Sequence, residues 1–200
     1  MKHINKKIAV DLDDVLNDLT ERFFDFHNQK FNTSHKITDI SKDDPNGLTI
    51  LDPSYRKIGL VLDEFFLSPS FDKILPRAEA QSALLELKKN GFGLTLVTSR
   101  PDKLRKKTSD WLDQHFPKVF DEIYFSSHKH LGYEGKSKGE ICNDLNADIL
   151  VEDLILHAED CADKNVFVLL YDTPWNQPVV EHKNIKRVYN WREISNLLIS

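Results

Sequence analysis

The sequence predicts an α/β fold: a parallel sheet covered on both faces by helices, with a small, mostly helical segment inserted after the first strand. Three observations carry this reading. Short apolar runs such as Ile8–Leu12, Leu94–Thr98 and Asp148–Val151 alternate with longer stretches of helical periodicity. Parallel strands need helix-length crossovers, so this alternation points to a two-sided parallel sheet. The stretch from about Asn17 to Phe71 breaks the alternation and reads as an insertion.

The elements follow in order. Ile8–Leu12 is an apolar strand. Asn17 to Lys30 is a helix, with Leu19, Phe23 and Phe26 at near-helical spacing and Phe31 just beyond. Asn32 to Pro53 is irregular and polar, and Pro45-Asn46-Gly47 marks a turn. Tyr55 to Phe66 is a second helix, after which Pro69 and Pro76 bracket the return. Arg77–Asn90 is a helix that Gly91 stops. After the Leu94–Thr98 strand, the fixed φ of Pro101 suits the start of a helix that runs to about Phe116. Glu122–Phe125 and Asp148–Val151 are strands, separated by a Ser137–Asn146 helix. A helix at Ile155–Lys164, a strand at Val166–Tyr171, a strand at Ile185–Val188 and a helix at Arg192–Ile199 complete the chain. The pattern is a Rossmann-like three-layer α/β/α sheet. Its core spans residues 1–16 and 72–200, and the inserted helical cap spans 17–71.

Two hundred residues, 40% of them hydrophobic, can bury one core of ordinary size. The net charge of −5 gives no global pull on nucleic acid or an anionic membrane, so any phosphate site must be built locally. No apolar run approaches the roughly 18 residues of a membrane span, and Met1 to Lys7 is read as leading directly into a strand instead of a signal peptide. Cys142 and Cys161 lack C-x-x-C spacing and read as buried thiols in helices, in keeping with a cytoplasmic protein.

Four places carry residues able to do chemistry. Asp11 and Asp13 close the first strand, where alternation points both carboxylates to one side. Such a pair is costly unless a cation or a proton neutralises it, and a hard cation suits the oxygen ligands. Thr98, Ser99 and Arg100 end a second strand; hydroxyls and N–H groups there can hold a phosphate, or simply cap the following helix. Lys136 and Lys138 precede or open a helix and can offset anionic charge, or sit in a solvated loop. Glu152 and Asp153 end a further strand and can complete a metal site with Asp11 and Asp13, or cap the next helix. Each has an ordinary structural alternative; their ordered succession, three of the four directly after apolar strands, points to one shared site. His128 and His130 form a His-x-His pair with no evident third ligand.

This ordered set resembles the haloacid dehalogenase superfamily of phosphohydrolases, from Ile8 to about Tyr171. Asp11-Leu12-Asp13-Asp14-Val15 looks like its first motif, Thr98 its second, Lys136 or Lys138 its third, and Glu152-Asp153 its fourth. The D-x-D-x-V-L opening, the small cap, Thr98-Ser99-Arg100-Pro101 and Thr173-Pro174-Trp175-Asn176 resemble the 5′(3′)-deoxyribonucleotidase branch. The resemblance implies a Mg²⁺-dependent phosphomonoester hydrolase acting on a small phosphate ester, with no nucleic-acid polymer or membrane as partner. It implies Asp11 as nucleophile and Asp13 as general acid, then general base. Thr98 would hold a phosphoryl oxygen and a lysine would steady the transferring group, with Lys136 preferred over Lys138 from its place relative to the helix start. Ser99 and Arg100 would help bind phosphate. The metal would sit on Asp11, the Asp13 main-chain carbonyl and Asp153, with Glu152 as a direct or water-mediated helper.

The sequence departs from that family at three points. Asp14 stands where Gly is common, the fourth motif reads Glu-Asp, and Leu19 takes the place of a base-stacking aromatic. Phe23, Phe24, Tyr55, Phe65 and Phe66 are the alternative stacking candidates. A phosphatase of a sugar phosphate or another metabolite, and a non-catalytic binding protein of the same fold, are the competing readings.

Overall fold

Strands β1 (Lys7–Val10), β2 (Gly93–Thr98), β3 (Glu122–Phe125), β4 (Ile149–Glu152), β5 (Phe167–Tyr171) and β6 (Ile185–Val188) form one sheet in the computed structural model of the chain. The sheet order is β3-β2-β1-β4-β5-β6 and every pairing is parallel. The structure describes residues 6–41, 44, 48–52, 57–126, 135–177 and 180–200. The turn at Pro45-Asn46-Gly47, Tyr55, and the His128/His130 pair lie outside these residues.

The register explains the layering. Val10 aligns with Leu96 and Val151, and Ala9 with Thr95 and Leu150. Side chains alternate along a strand, so neighbouring positions feed opposite faces. On one face Val10, Leu96 and Val151 pack against helices α3 (Ala80–Lys89), α4 (Arg105–His115) and α7 (Trp191–Ile199). On the other, Ala9, Val97 and Leu150 pack against α5 (Lys138–Asp144) and α6 (Ile155–Ala162). Leu84 of α3 is fully buried on the first of these faces, and truncating such a leucine to alanine costs about 2–5 kcal/mol. Cys142 and Cys161 are buried free thiols in the second face.

Local signals set the helix ends. Gly91 follows α3 with φ 92°, a left-handed conformation that suits glycine and ends the helix. Ser137 caps α5: its side chain accepts from the Glu140 N–H at 3.1 Å, while the Glu140 carboxylate accepts from the Ser137 N–H at 2.7 Å.

Two further apolar clusters draw mostly on residues between β1 and α3. Helices α1 (Leu19–Phe31) and α2 (Ile58–Leu67) bury Phe23, Phe65 and Phe66 against Phe71. Phe24 packs with Ile40 and Trp175. These four aromatic rings are therefore core residues and not exposed stacking platforms; at helical spacing they form the inner stripe of each helix. The two ends of this stretch meet, where Asn17 pairs antiparallel with Pro76 and the Arg77 N–H donates to Leu16 O at 2.8 Å.

Candidate active site

In a sheet of this order the chain reverses direction between β1 and β4, and ligands bind beyond the carboxyl ends of the strands at that point. The loop after β1, the end of β2, the start of α5 and the end of β4 all reach this place.

β1 stops at Val10, two residues earlier than the apolar run suggests, so Asp11, Asp13 and Asp14 lie in the following loop. Alternation therefore does not hold the acidic pair together, and the two side chains take different partners. Asp11 stays close to the sheet, its N–H donating to Val151 O at 3.0 Å. Its Oδ1 meets Lys138 Nζ at 2.6 Å. The same ammonium donates to Glu152 Oε2, also at 2.6 Å. Lys138 is only 1% exposed, and Asp11, Glu152 and Asp153 are buried with it.

Lys136 does not take part. It pairs with Asp144 at the surface, and its side chain is 66% exposed. The preference for Lys136 is thus corrected. The Ser137 cap turns the chain between the two lysines, and the first helical residue, Lys138, is the one directed inward. Gly139 fixes this turn. Its N–H donates to Asp160 Oδ2 at 2.8 Å, and an added Cβ would meet that carboxylate oxygen at 2.5 Å and the Asp160 main-chain oxygen at 2.7 Å.

One carboxylate oxygen from each of Asp11, Glu152 and Asp153 lies within 4.8 Å of the others. Three buried acids share one ammonium, so the cluster is short of positive charge. Burial first, then repulsion from Glu152, pushes the Asp11 carboxyl up to about 7. Burial and the neighbours Glu152 and Asp11 raise Asp153 well above the usual carboxylate range. For Glu152, burial works against ionisation, but Lys138 and hydrogen bonds outweigh it and hold it low. A hard divalent cation fits this oxygen-rich, undercompensated cluster. Glu152 is the least available ligand: its second oxygen accepts from the Asp153 and Leu154 N–H groups at 3.2 and 3.0 Å.

Asp13 takes different partners. Arg100 Nε donates to Asp13 Oδ2 at 2.8 Å and Arg100 Nη2 to Oδ1 at 2.6 Å. Asn17 Nδ2 adds a bond to Oδ1 at 3.1 Å. Arg100 is buried, its Nη1 donates to Thr108 Oγ1 at 3.2 Å, and its guanidinium lies 4.9 Å from the centre of the Phe71 ring. Arg100, expected near the phosphate, has its fork closed on Asp13. The bidentate geometry of guanidinium and carboxylate favours this pairing.

Thr98 is buried at the end of β2, where its Oγ1 accepts from the Arg100 N–H at 3.2 Å and its hydroxyl proton remains to be donated. Ser99 Oγ lies 2.7 Å from Ser126 Oγ. Asp14 adopts φ 60°, a region that favours Gly and that Asp tolerates better than most residues. The carboxylate gives the position a second use: it accepts from the Thr20 N–H and hydroxyl, at 3.1 and 2.5 Å, at the start of α1.

Three contributors were given no role at the site by the sequence reading. Asn17 and Thr108 act through Asp13 and Arg100. Trp175, quoted in the sequence only within the Thr173–Asn176 motif, donates its indole N–H to Asp153 Oδ2 at 2.8 Å.

Comparison with known proteins agrees with this geometry. The chain matches the family described as 5′ nucleotidase, deoxy (pyrimidine), cytosolic type C protein over residues 5–200. It is similar to the 5′(3′)-deoxyribonucleotidase of Bacillus subtilis, 26% identical over 197 residues that cover 98% of this chain and all of that one. Among solved structures it is similar to a haloacid dehalogenase-like hydrolase from Streptococcus pneumoniae. That match has TM-score 0.67 at 13% identity and covers 99% of this chain and 100% of the other. A HAD-superfamily hydrolase from Ehrlichia chaffeensis aligns with TM-score 0.59 at 15% identity, covering 100% and 98%. The protein therefore belongs to the family of 5′ nucleotidase, deoxy (pyrimidine), cytosolic type C proteins, and its fold is that of haloacid dehalogenase-like hydrolases.

Proposed function

We propose that the protein is a Mg²⁺-dependent phosphomonoesterase that works through an aspartyl-phosphate on Asp11, and that its substrates are (deoxy)nucleoside monophosphates. The observation that carries this is the contact of Asp11 with the buried Lys138, beside Asp153. The Asp11 carboxylate, the Lys138 ammonium and the Asp153 carboxylate lie in one cluster, which supports a nucleophile beside a fixed cation and a metal ligand. Asp11, Asp153 and the main-chain carbonyl of Asp13 would hold Mg²⁺, with Glu152 serving to hold Lys138. The ion supplies charge neutralisation for the phosphoryl oxygens.

The residues then divide the work. An Asp11 oxygen attacks phosphorus, and the bond from phosphorus to the ester oxygen breaks. Asp13, protonated for this step and so released from Arg100 at one oxygen, gives its proton to the departing oxygen. Water next attacks the phosphorus of the aspartyl-phosphate while Asp13 takes a proton from it; the bond to Asp11 breaks and phosphate leaves. Lys138 and Thr98 offset charge on the transferring group, which is most of what phosphoryl transfer asks of a protein. Ser99, next to Thr98, would bind phosphate as well. Residues 17–71 serve as a cap over the site.

The similarity to a 5′(3′)-deoxyribonucleotidase supports the nucleotide substrate, and the word cytosolic in the family description supports a cytoplasmic location. The burial of Phe23, Phe24, Phe65 and Phe66 favours the second reading, a sugar phosphate or another small ester, because those rings do not present a face to a base. A panel of deoxyribonucleoside monophosphates, ribonucleoside monophosphates and sugar phosphates at millimolar Mg²⁺ separates the two. We expect the highest kcat/KM on a nucleoside monophosphate; a sugar phosphate ahead of all nucleotides supports the second reading.

A further inference from the structure

Trp175 lies in a short 3₁₀ turn, Pro174–Asn176, after β5. It is buried, and so is its partner Asp153. The Trp175 indole N–H donates to Asp153 Oδ2 at 2.8 Å. The next residue grips the same aspartate from behind: Asn176 Nδ2 donates to the Asp153 main-chain oxygen and to Tyr171 O, each at 2.7 Å. Asn176 is anchored in turn by Arg187, whose Nη1 donates to Asn176 Oδ1 and whose Nη2 donates to Asn176 O, both at 2.5 Å. One turn thus holds Asp153 by a side-chain oxygen and by the main chain.

The other face of Trp175 has a different neighbour. Its ring shares a buried cluster with Phe24 of α1 and with Ile40, both in the inserted segment. A single side chain therefore touches a cation-ligand candidate with its polar edge and the inserted segment with its apolar body. An indole is suited to both tasks, since it is a large apolar surface with a single donor.

We propose that Trp175 is a positioning residue for the divalent-cation site. Its N–H fixes one oxygen of Asp153 so that the other is presented to Asp11, and its ring ties the strength of cation binding to the packing of the inserted segment. This rests on the reading that Asp11 and Asp153 hold the cation. Groups that orient a ligand from behind typically change metal affinity by about 10–100-fold when removed.

The test is calorimetric titration of Mg²⁺ into the metal-free full-length protein, with folding verified by circular dichroism. Asp153→Ala should abolish binding; if it binds Mg²⁺ as the parent does, the cation-site reading itself fails. Trp175→Phe keeps the ring and removes the donor, and should weaken binding by about 10–100-fold. Parent-like affinity for Trp175→Phe, with Asp153→Ala defective, overturns the role of Trp175 alone. Phe24→Leu leaves the donor in place and should weaken binding in the same direction; parent-like affinity there overturns the coupling to the inserted segment.

A measurement on the unaltered chain does not depend on these variants folding. The other indole N–H groups donate to main-chain carbonyls, Trp111 to Ile74 O and Trp191 to Val15 O. In ¹⁵N-labelled protein the Trp175 indole resonance, assigned against Trp111→Phe and Trp191→Phe, should shift most on Mg²⁺ addition. A Trp175 resonance that stays still while Mg²⁺ binds overturns the proposal.

Discussion

Arg100 closes both arms of its guanidinium fork on the two oxygens of Asp13, at 2.8 and 2.6 Å. The acid–base residue of the proposed reaction is thereby held from the loop that follows β2. Arg100→Lys keeps a cation and loses the fork. We expect kcat to fall by about 10–100-fold with KM little changed, because proton transfer by a placed residue supplies roughly 10²–10⁴-fold. The loss should be larger on an alkyl phosphate than on p-nitrophenyl phosphate, whose leaving group needs little protonation. Equal losses on both esters would show that Arg100 does not act through Asp13.

Lys138 and Lys136 should behave as opposites. Removing the buried partner of Asp11 and Glu152 leaves two uncompensated charges, so Lys138→Met should cost about 3–5 kcal/mol of stability and abolish turnover. Lys136→Ala removes an exposed pair with Asp144 and should leave the melting temperature and kcat/KM unchanged. Thermal melts and phosphate-release assays on both variants check this.

Gly139→Ala tests the turn that aims Lys138. The added methyl would lie 2.5 Å from Asp160 Oδ2 and 2.7 Å from its main-chain oxygen, and the second contact cannot be relieved by a side-chain rotation. We expect a stability loss of about 1–3 kcal/mol from overpacking, with a fall in kcat because Lys138 moves with the start of α5. Denaturant unfolding and steady-state kinetics measure the two effects.

Metal-free stability should depend on pH in a defined direction. Asp11 and Asp14 both titrate near 7 in the folded chain, raised chiefly by burial from an ordinary 3.8. The folded state thus holds these protons more tightly than the unfolded state. Their contribution is complete below the unfolded value and is lost as pH rises through the folded one. In EDTA the melting temperature should therefore carry a falling component from about pH 4 to about pH 7, shallower in Asp14→Asn. Mg²⁺ competes with the proton on Asp11, so the Mg²⁺-induced rise in melting temperature should grow over the same range. A Mg²⁺ effect independent of pH would contradict this.

Much of the architecture was legible because period and punctuation agreed. β3 and β6 have the bounds the sequence suggested, and Gly91 ends α3 through its positive φ. The chemistry-bearing residues were legible as a set, since carboxylates and a lysine recur just beyond apolar strands. Their partners were not. Asp11 and Asp13 part because β1 stops at Val10, and no local pattern announces that the guanidinium 87 positions along will take Asp13. Lys136 and Lys138 differ by one turn of backbone, which the Ser137 cap decides. Trp175 looks like any buried aromatic until its donor is seen on Asp153.

The central claim is that Asp11 carries the phosphoryl group. Enzyme mixed with a ³²P-labelled nucleoside monophosphate and Mg²⁺, then quenched in acid, should retain hydroxylamine-labile label on the peptide that contains Asp11. Asp11→Asn should show neither the label nor phosphate release while keeping its circular dichroism spectrum. Phosphate release by Asp11→Asn at the parent rate, or label on a different residue, would contradict the account.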